Sequence, residues 1–147
     1  MFLSAATRVH AYPMFSPDGK WIAYISNEAG QNDIYVSPFP GPGGKWRIST
    51  GGGTLPLWSA SAHEILFVSP AENKVMVATY TVLADSFHAD KPQVWSPTSP
   101  ARRGSDYPYA LHPDGKRLAT TPPPADVVQD RVVFIFNFFD YLRKIAP

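Results

Sequence analysis

Cysteine is absent from the 147 residues of this chain, and no apolar run reaches the length of a membrane-spanning helix. The first absence excludes disulfides, thiolate chemistry and cysteine-based zinc sites, and it leaves the cellular compartment open. The net charge is only +1, so no strong field attracts nucleic acid or anionic lipid. We therefore expect neither a nucleic-acid partner nor membrane insertion. Residues 1–8 do not resemble a signal peptide, and the sequence leaves the localisation unknown.

Proline, glycine and aromatic residues are plentiful instead. The chain has 16 prolines and 10 glycines, and 14% of its residues are aromatic. This composition favours many turns and disfavours long helices. With 44% hydrophobic residues, the chain is long enough to bury a core, so we expect a globular protein and not a disordered one.

A strand–turn–strand unit recurs along the chain. Residues 13–24 combine a short apolar run, the turn Pro17-Asp18-Gly19, and a second run that begins at Trp21. Residues 110–119 repeat this unit around Pro113-Asp114-Gly115, and residues 56–68 form a degenerate copy without the Asp-Gly turn. The turn residues are expected to cap their own backbone, which is the commoner role for aspartate in this setting than catalysis or metal binding.

Each unit continues into further strands, so the repeat is predicted to contain four antiparallel strands. In the first repeat the predicted strands are about 12–16, 20–26, 33–37 and 45–49. In the second repeat they are about 55–59, 64–69, 74–82 and 91–95, with residues 83–90 as a longer excursion. In the third they are about 107–112, 116–121 and 131–138, followed by a short amphipathic helical turn at 139–145.

The segment Phe15-Ser16-Pro17-Asp18-Gly19-Lys20-Trp21-Ile22-Ala23-Tyr24, followed by Ile34-Tyr35-Val36, resembles the WD-repeat-like blades of TolB-type β-propellers. The chain is most similar to the C-terminal sensor propellers of bacterial serine/threonine kinases, over about residues 1–145. The resemblance implies an all-β fold of three four-stranded antiparallel blades within a single partial domain, 1–147. The predicted boundaries are about 10–50 for blade 1, 54–97 for blade 2 and 105–145 for blade 3.

Three blades are fewer than the four to eight that usually close a propeller. Either the chain is a piece of a longer protein, or a homodimer completes a six-bladed ring. In the second case residues 2–5 would serve as the outer strand of a neighbouring blade, because the third repeat has no predicted fourth strand.

Motifs for catalysis, metals and cofactors are missing from the sequence. It has no Gly-x-Ser-x-Gly elbow and no kinase motif, and Gly51-Gly52-Gly53 is not followed by the Lys-Ser/Thr pair of a phosphate loop. None of the four histidines has the spacing of a zinc ligand, so we predict no catalytic residue, no metal and no cofactor. The histidines are His10, His63, His88 and His112.

One group of side chains is a candidate ligand site at the mouth of the propeller channel, where aromatic residues flank the inner strands beside two arginines. Ordinary packing and a solvated basic loop are the commoner explanation for such residues. The candidate ligand-binding residues are His10, Tyr12, Arg102, Arg103, Tyr107, Tyr109 and His112.

The resemblance implies a non-catalytic binding or interaction module that takes a peptide, protein or small-molecule ligand. The alternative is a hydrolase of esterase or peptidase type, since similar propellers precede the catalytic domain in the prolyl-oligopeptidase family. Such a site would need a strand-end serine with His10 or His112 and an aspartate from separate blades. Fold alone does not decide between them.

Overall fold

The structure of the chain is a computed structural model that describes residues 10–84, 86–97, 100 and 109–120. In these residues the fold is all-β, with eleven strands in antiparallel sheets. The same residues contain no helix, and therefore none that is long and apolar enough to cross a membrane. The prediction of an all-β, antiparallel fold is confirmed.

The first sheet contains four strands in sequence order, as the first repeat predicts. They are β1 (His10–Phe15), β2 (Trp21–Ser26), β3 (Asp33–Pro38) and β4 (Trp46–Arg47). The strand β4 is shorter than predicted, although the amide of Ile48 still donates a 2.7 Å hydrogen bond to the carbonyl of Ile34.

The second sheet contains β5 (Thr54–Trp58), β6 (Glu64–Ser69), β7 (Lys74–Leu83), β8 (Ser86–Ala89) and β9 (Gln93–Ser96). The first part of β7 pairs with β9, as expected for a fourth strand, and its last part pairs with β8. The predicted excursion at residues 83–90 contains an additional strand, β8, which the sequence analysis does not predict. It forms because β7 continues beyond Tyr80 and supplies the partner edge for β8.

The third repeat begins with the hairpin β10 (Tyr109–Leu111) and β11 (Leu118–Thr120). Both strands lie inside the ranges predicted for them. The predicted outer strand at 2–5, the strand at 131–138 and the helical turn at 139–145 lie outside the described residues.

The hairpin turns follow from their residue types. In the first turn the amide of Gly19 donates to the carbonyl of Ser16 at 2.9 Å, and Gly19 has a φ of 70°, where a Cβ would be strained. In the third turn Gly115 donates to His112 in the same way, also at 2.9 Å, with the same φ. The second hairpin closes without an Asp-Gly pair, because the amide of Ser59 donates to Glu64 at 3.0 Å.

The main core lies between the first and second sheets, because alternate residues of each strand point to the same face. Thirteen buried side chains form it: Trp21, Ala23, Ile25, Ile34, Val36, Ile48, Trp58, Ile65, Phe67, Met76, Ala78, Tyr80 and Phe87. The interposed residues Ile22, Tyr24 and Tyr35 form a separate buried cluster. Trp21 and Trp58 thus lie between the two sheets, whereas Tyr24 belongs to the other cluster.

Consecutive sheets are joined by hydrogen bonds between their first strands. The indole Nε1 of Trp58 in β5 donates to the carbonyl of Met14 in β1 at 2.9 Å. The buried hydroxyl of Tyr109 in β10 donates in turn to the carbonyl of Leu55 in β5. The three first strands are therefore neighbours, β1 beside β5 and β5 beside β10.

The first two sheets also share a backbone irregularity. The pairing register shifts between Ala11 and Met14 in β1, and between Thr54 and Leu57 in β5. Within these bulges Tyr12 and Leu55 have φ values of 54° and 56°, which are uncommon for residues other than glycine. Each of the two residues precedes a proline. The repeat is therefore visible in the backbone as well as in the sequence.

Candidate functional site

A cleft of about 750 Å³ opens between the first and second sheets, at the end where the β1–β2 turn lies. A smaller recess of about 230 Å³ adjoins it and shares Asp18, His63 and Tyr80. The larger volume lies within the range of typical ligand sites, and the smaller volume lies below that range. The larger cleft, called the inter-sheet cleft below, is lined by Asp18, Lys20, Trp21, Pro38, Phe39, Pro40, Pro42, Gly43, His63, Tyr80, Val82 and Ala84.

The topology explains why these residues meet. In an antiparallel sheet with strands in sequence order, the first and third connections lie at the same end. The β1–β2 turn and the β3–β4 loop of the first sheet therefore meet the β5–β6 turn and the β7–β8 hairpin of the second. The long β7 extends past the edge of the core, so that Val82 and Ala84 form one wall of the cleft.

The floor of the cleft belongs to a packed aromatic cluster of the core. The ring of Phe87 lies 5.1 Å from Trp21, 4.8 Å from Tyr80 and 6.2 Å from Trp58, measured between centroids. Trp21 also makes an edge contact with Trp46 at 5.6 Å. Phe87 comes from β8, so the strand that the sequence did not predict supplies the centre of this cluster.

The opposite wall is the proline-rich loop that follows β3. The amide of Phe39 donates a 2.7 Å hydrogen bond to the carbonyl of Lys20, which fixes the start of the loop to the first turn. The ring of Phe39 is 40% exposed and meets Phe15 edge-on at 4.9 Å. Large exposed apolar side chains grouped at a cleft are typical of binding surfaces.

Asp18 supplies a fixed negative charge at the cleft. Its Oδ1 accepts hydrogen bonds from the hydroxyl of Ser16 at 2.5 Å and from the amide of Lys20 at 3.1 Å. The bond from Ser16 lowers the pKa of the Asp18 carboxyl, partial burial opposes it, and the Lys20 amide assists it. Asp18 is therefore ionised at neutral pH.

Tyr80 and His63 form a stacked pair on the second sheet's side of the cleft. Their ring centroids are 5.1 Å apart and their planes differ by 28°. Tyr80 is only 8% exposed, and burial raises the pKa of its phenol, with a further contribution from the charge of Asp18. In the part of the chain that the structure describes, the Tyr80 hydroxyl has no hydrogen-bond partner. A buried phenol without a partner is uncommon, so this hydroxyl is available to a ligand or water.

The sequence-predicted ligand residues are placed differently. His10 begins β1, and Tyr12 is half-buried and packs against both the main core and the cluster of Leu55, Val68 and Tyr109. Tyr109 is buried, with its hydroxyl bonded to the carbonyl of Leu55. The structure thus brings Tyr12 and Tyr109 together within packed side chains. Arg102, Arg103 and Tyr107 lie outside the described residues, and the ligand role of the set stays a prediction.

His112 lies apart from those tyrosines, on the exposed β10–β11 turn. Its Nδ1 is 3.1 Å from Asp114, and the guanidinium of Arg117 lies 3.2 Å from its Nε2. Among the described residues no serine hydroxyl is hydrogen-bonded to His112. A general base needs a nucleophile at one nitrogen, and a guanidinium there is unsuited to that role. This arrangement does not favour the hydrolase alternative at His112.

In the described residues no three side chains of histidine, aspartate or glutamate converge as a metal site would require. The buried carboxylate of Asp33 is instead occupied by protein groups. It accepts hydrogen bonds from Ser49 at 2.7 Å, from Arg47 at 2.5 Å and from the amide of Gly52 at 3.1 Å. Asp33 therefore ties β3 to the segment after β4, and its role is structural.

Sequence reasoning missed the inter-sheet cleft and assigned Asp18 only to its turn. A usable signal was nevertheless present. In a four-strand repeat the residues that follow the first and third strands share one end, and Asp18, Phe39 and His63 all occupy such connections.

A scan of this chain against protein-family models finds no match, and a search of curated proteins finds no similar sequence.

Proposed function

We propose that this chain is a partial β-propeller of the TolB type that acts as a non-catalytic binding module, with the inter-sheet cleft as its ligand site. The cleft itself is the observation that carries the binding proposal. It combines exposed apolar walls, a packed aromatic floor and a few polar groups, which is the usual character of a ligand site. A peptide or protein loop is the fitting ligand class, because the cleft is open and bordered by prolines and Phe39.

The propeller assignment is supported by the way consecutive sheets are joined. Blades of a propeller place their first strands around a common axis and pack face to face. Here the bonds from Trp58 to Met14 and from Tyr109 to Leu55 join the first strands of consecutive sheets. The paired bulges at Tyr12 and Leu55 support a true structural repeat.

Closure of a six-bladed ring by a second copy belongs to the same proposal. Its support is that the described residues form three sheets, whereas a propeller needs at least about four blades. One finding weighs against it: Ile22, Tyr24 and Tyr35, on the side of the first sheet away from the second, are already buried in the single chain. Light scattering tests it, because a dimer has twice the 16.2 kDa of the chain, and a folded 16.2 kDa monomer would contradict closure.

The binding function is tested by selecting peptides from a random display library and then filling the cleft. Val82 lines the cleft and is 37% exposed, so Val82→Trp adds volume there with little disturbance of the core. Thr81→Trp is the matched control, because Thr81 is the exposed neighbour that points to the other face of β7. We expect the selected peptides to bind Val82→Trp at least about tenfold more weakly and Thr81→Trp normally. Equal binding to both variants, or no enriched peptide, would contradict the proposal.

A further inference from the structure

Two equivalent aspartates in this fold differ in one contact. Asp18 and Asp114 each occupy a Pro-Asp-Gly-Lys turn, and each accepts a hydrogen bond from the amide two residues later, at 3.1 Å and 2.9 Å. The second oxygen of Asp114, Oδ2, is bound by Arg117 Nε at 2.9 Å. Trp21 occupies the position of Arg117 in the first turn. The first turn therefore lacks the arginine that binds the second carboxylate oxygen in the third turn.

Among the described residues the Oδ2 of Asp18 has no hydrogen-bond or ion-pair partner, since both hydrogen bonds of Asp18 go to Oδ1. The charge of Lys20 assists in lowering the pKa of the Asp18 carboxyl, but the two side chains form no ion pair. The carboxylate is ionised and its orientation is fixed by those two bonds. It lies on both the inter-sheet cleft and the adjoining recess. A fixed carboxylate with one free oxygen at a cleft favours a cationic guest.

The aromatic side of the cleft favours the same kind of guest. The faces of aromatic rings carry negative electrostatic potential and attract cations, and arginine in particular stacks on them. The stacked rings of His63 and Tyr80 line the cleft, and the Tyr80 hydroxyl is an acceptor without a partner among the described residues. A planar guanidinium has several donors, so it can bind a carboxylate and a phenol oxygen together.

Lys20 opposes the binding of a cationic guest, since its positively charged side chain also borders the cleft. The side chains of Lys20 and Asp18 are both exposed, but the Lys20 ammonium lies on a flexible stem and is screened by water and salt, whereas two hydrogen bonds orient the Asp18 carboxylate. An anionic guest would gain from Lys20, but it would meet the fixed charge of Asp18 and the ring faces. The balance favours a cation over an anion.

We infer that the inter-sheet cleft binds an arginine side chain of a peptide partner, with its guanidinium paired to Asp18 and lying against the His63–Tyr80 pair. This inference rests on the proposed binding function and specifies its ligand. Phe39 and Pro40 provide apolar surface for the neighbouring residues of the peptide. The arginine of the peptide binds Asp18 as Arg117 binds Asp114 within the chain.

The test compares two peptides by NMR titration of the whole protein. The probes are acetyl-Ala-Arg-Phe-Ala-amide and the same peptide with citrulline, which has the shape of arginine without its charge. We expect the arginine peptide to bind roughly tenfold more tightly and to shift the resonances of Trp21, His63 and Tyr80. Asp18→Asn should remove this difference, whereas Asp114→Asn, the same change in an equivalent turn away from the cleft, should preserve it. Lys20→Gln should leave arginine binding unchanged or tighten it.

The outcomes separate this inference from the proposed function. A third peptide, with glutamate in place of arginine, tests the sign of the charge. If the arginine and citrulline peptides bind equally and shift the cleft resonances, or if the glutamate peptide binds more tightly than the arginine peptide, the arginine assignment is overturned while the binding site stands. If the arginine peptide shifts only residues elsewhere, or Asp18→Asn folds and keeps the preference, the assignment is again overturned. If neither peptide binds, the arginine assignment is overturned. If the display selection also enriches nothing sensitive to Val82→Trp, the binding function fails as well.

Discussion

The indole Nε1 of Trp58 donates a 2.9 Å hydrogen bond to the main-chain carbonyl of Met14, which joins the first strand of the second sheet to that of the first. Trp58 is buried and Met14 is half-buried, so the bond is partly shielded from water. The bond therefore stabilises the position of one sheet relative to the next, in addition to the burial of the ring itself.

We expect Trp58→Phe to lower the free energy of unfolding by about 2 kcal/mol, from the lost bond, the unpaired carbonyl and the smaller ring. Urea denaturation measures it. Trp46→Phe is the control, because Trp46 is half-buried and the described residues give it no hydrogen bond. An equal loss in the two variants would show that the bond to Met14 contributes nothing beyond ring volume.

The buried ion pair of Asp33 gives a second stability prediction. The Asp33 side chain is 0% exposed and Arg47 is 34% exposed, so Asp33→Asn leaves a partly desolvated guanidinium beside a neutral amide. We expect a loss of about 3 kcal/mol, the usual cost of breaking such a pair by removing one charge. Glu72→Gln, at the exposed pair with Lys74, should cost at most about 1 kcal/mol. A loss at Asp33 as small as that at Glu72 would contradict a structural role for this carboxylate.

The turn of the third hairpin yields a pH prediction. The pKa of the Asp114 carboxyl is lowered from 3.8 to about 2, and the hydrogen bond from the Lys116 amide is the largest cause. Desolvation opposes this shift, and the hydrogen bonds from Arg117 and His112 assist it. Because the folded pKa lies below the ordinary 3.8, the folded state binds fewer protons between these values. The stability that Asp114 contributes is present at neutral pH and is lost as the pH falls from 3.8 toward about 2.

Carbon-detected NMR titration of the side-chain carboxyl measures this pKa directly. Arg117→Gln should raise the pKa of Asp114 only in part, since the Lys116 amide still donates to it. The pKa of Asp18, in the equivalent turn without an arginine, should not change in that variant. A midpoint for Asp114 at its ordinary value in the unsubstituted protein would refute the arrangement of this turn.

The sequence predicted the strands well because local residue types determine them. The turn at Asp18 and Gly19 and the alternation of Ile34, Tyr35 and Val36 need no distant information, and the structure has the expected hairpin and faces there. The second hairpin has a weaker local signal in the sequence, because it lacks an Asp-Gly turn. It forms because its flanking strands pair, with Trp58 opposite Ile65. Strand pairing and burial thus override weak turn chemistry.

The strand β8 and the inter-sheet cleft were not predictable in the same way. Ser86-Phe87-His88-Ala89 is short and has no β-branched residue, so nothing local marks it as a strand. It becomes one because β7 extends far enough to pair with it and because Phe87 is buried among Trp21, Trp58 and Tyr80. Likewise, Asp18 and His63 are distant in sequence and meet only through the packing of two sheets.

The two Asp-Gly turns also provide a matched pair of glycines. Gly19 and Gly115 both have a φ of 70°, so alanine is strained to the same extent at either position. Their surroundings differ: a Cβ at Gly19 would have no atom within 4 Å, whereas one at Gly115 would lie 2.2 Å from Ser61 Oγ and 3.2 Å from Ser59 Oγ. The third turn therefore packs directly on the second, and only glycine fits there without movement.

We expect Gly19→Ala to cost about 1 kcal/mol, from backbone strain alone, and Gly115→Ala to cost more, because Ser61 must also move. Denaturation of both variants measures the difference. Ser61→Gly removes the obstructing side chain. When Gly115→Ala is added to Ser61→Gly, the further loss in free energy of unfolding should therefore be about as small as the loss that Gly19→Ala causes. If Gly115→Ala is no worse than Gly19→Ala, the contact between the second and third turns is absent in solution. The succession of three packed repeats would then lose its support at this point.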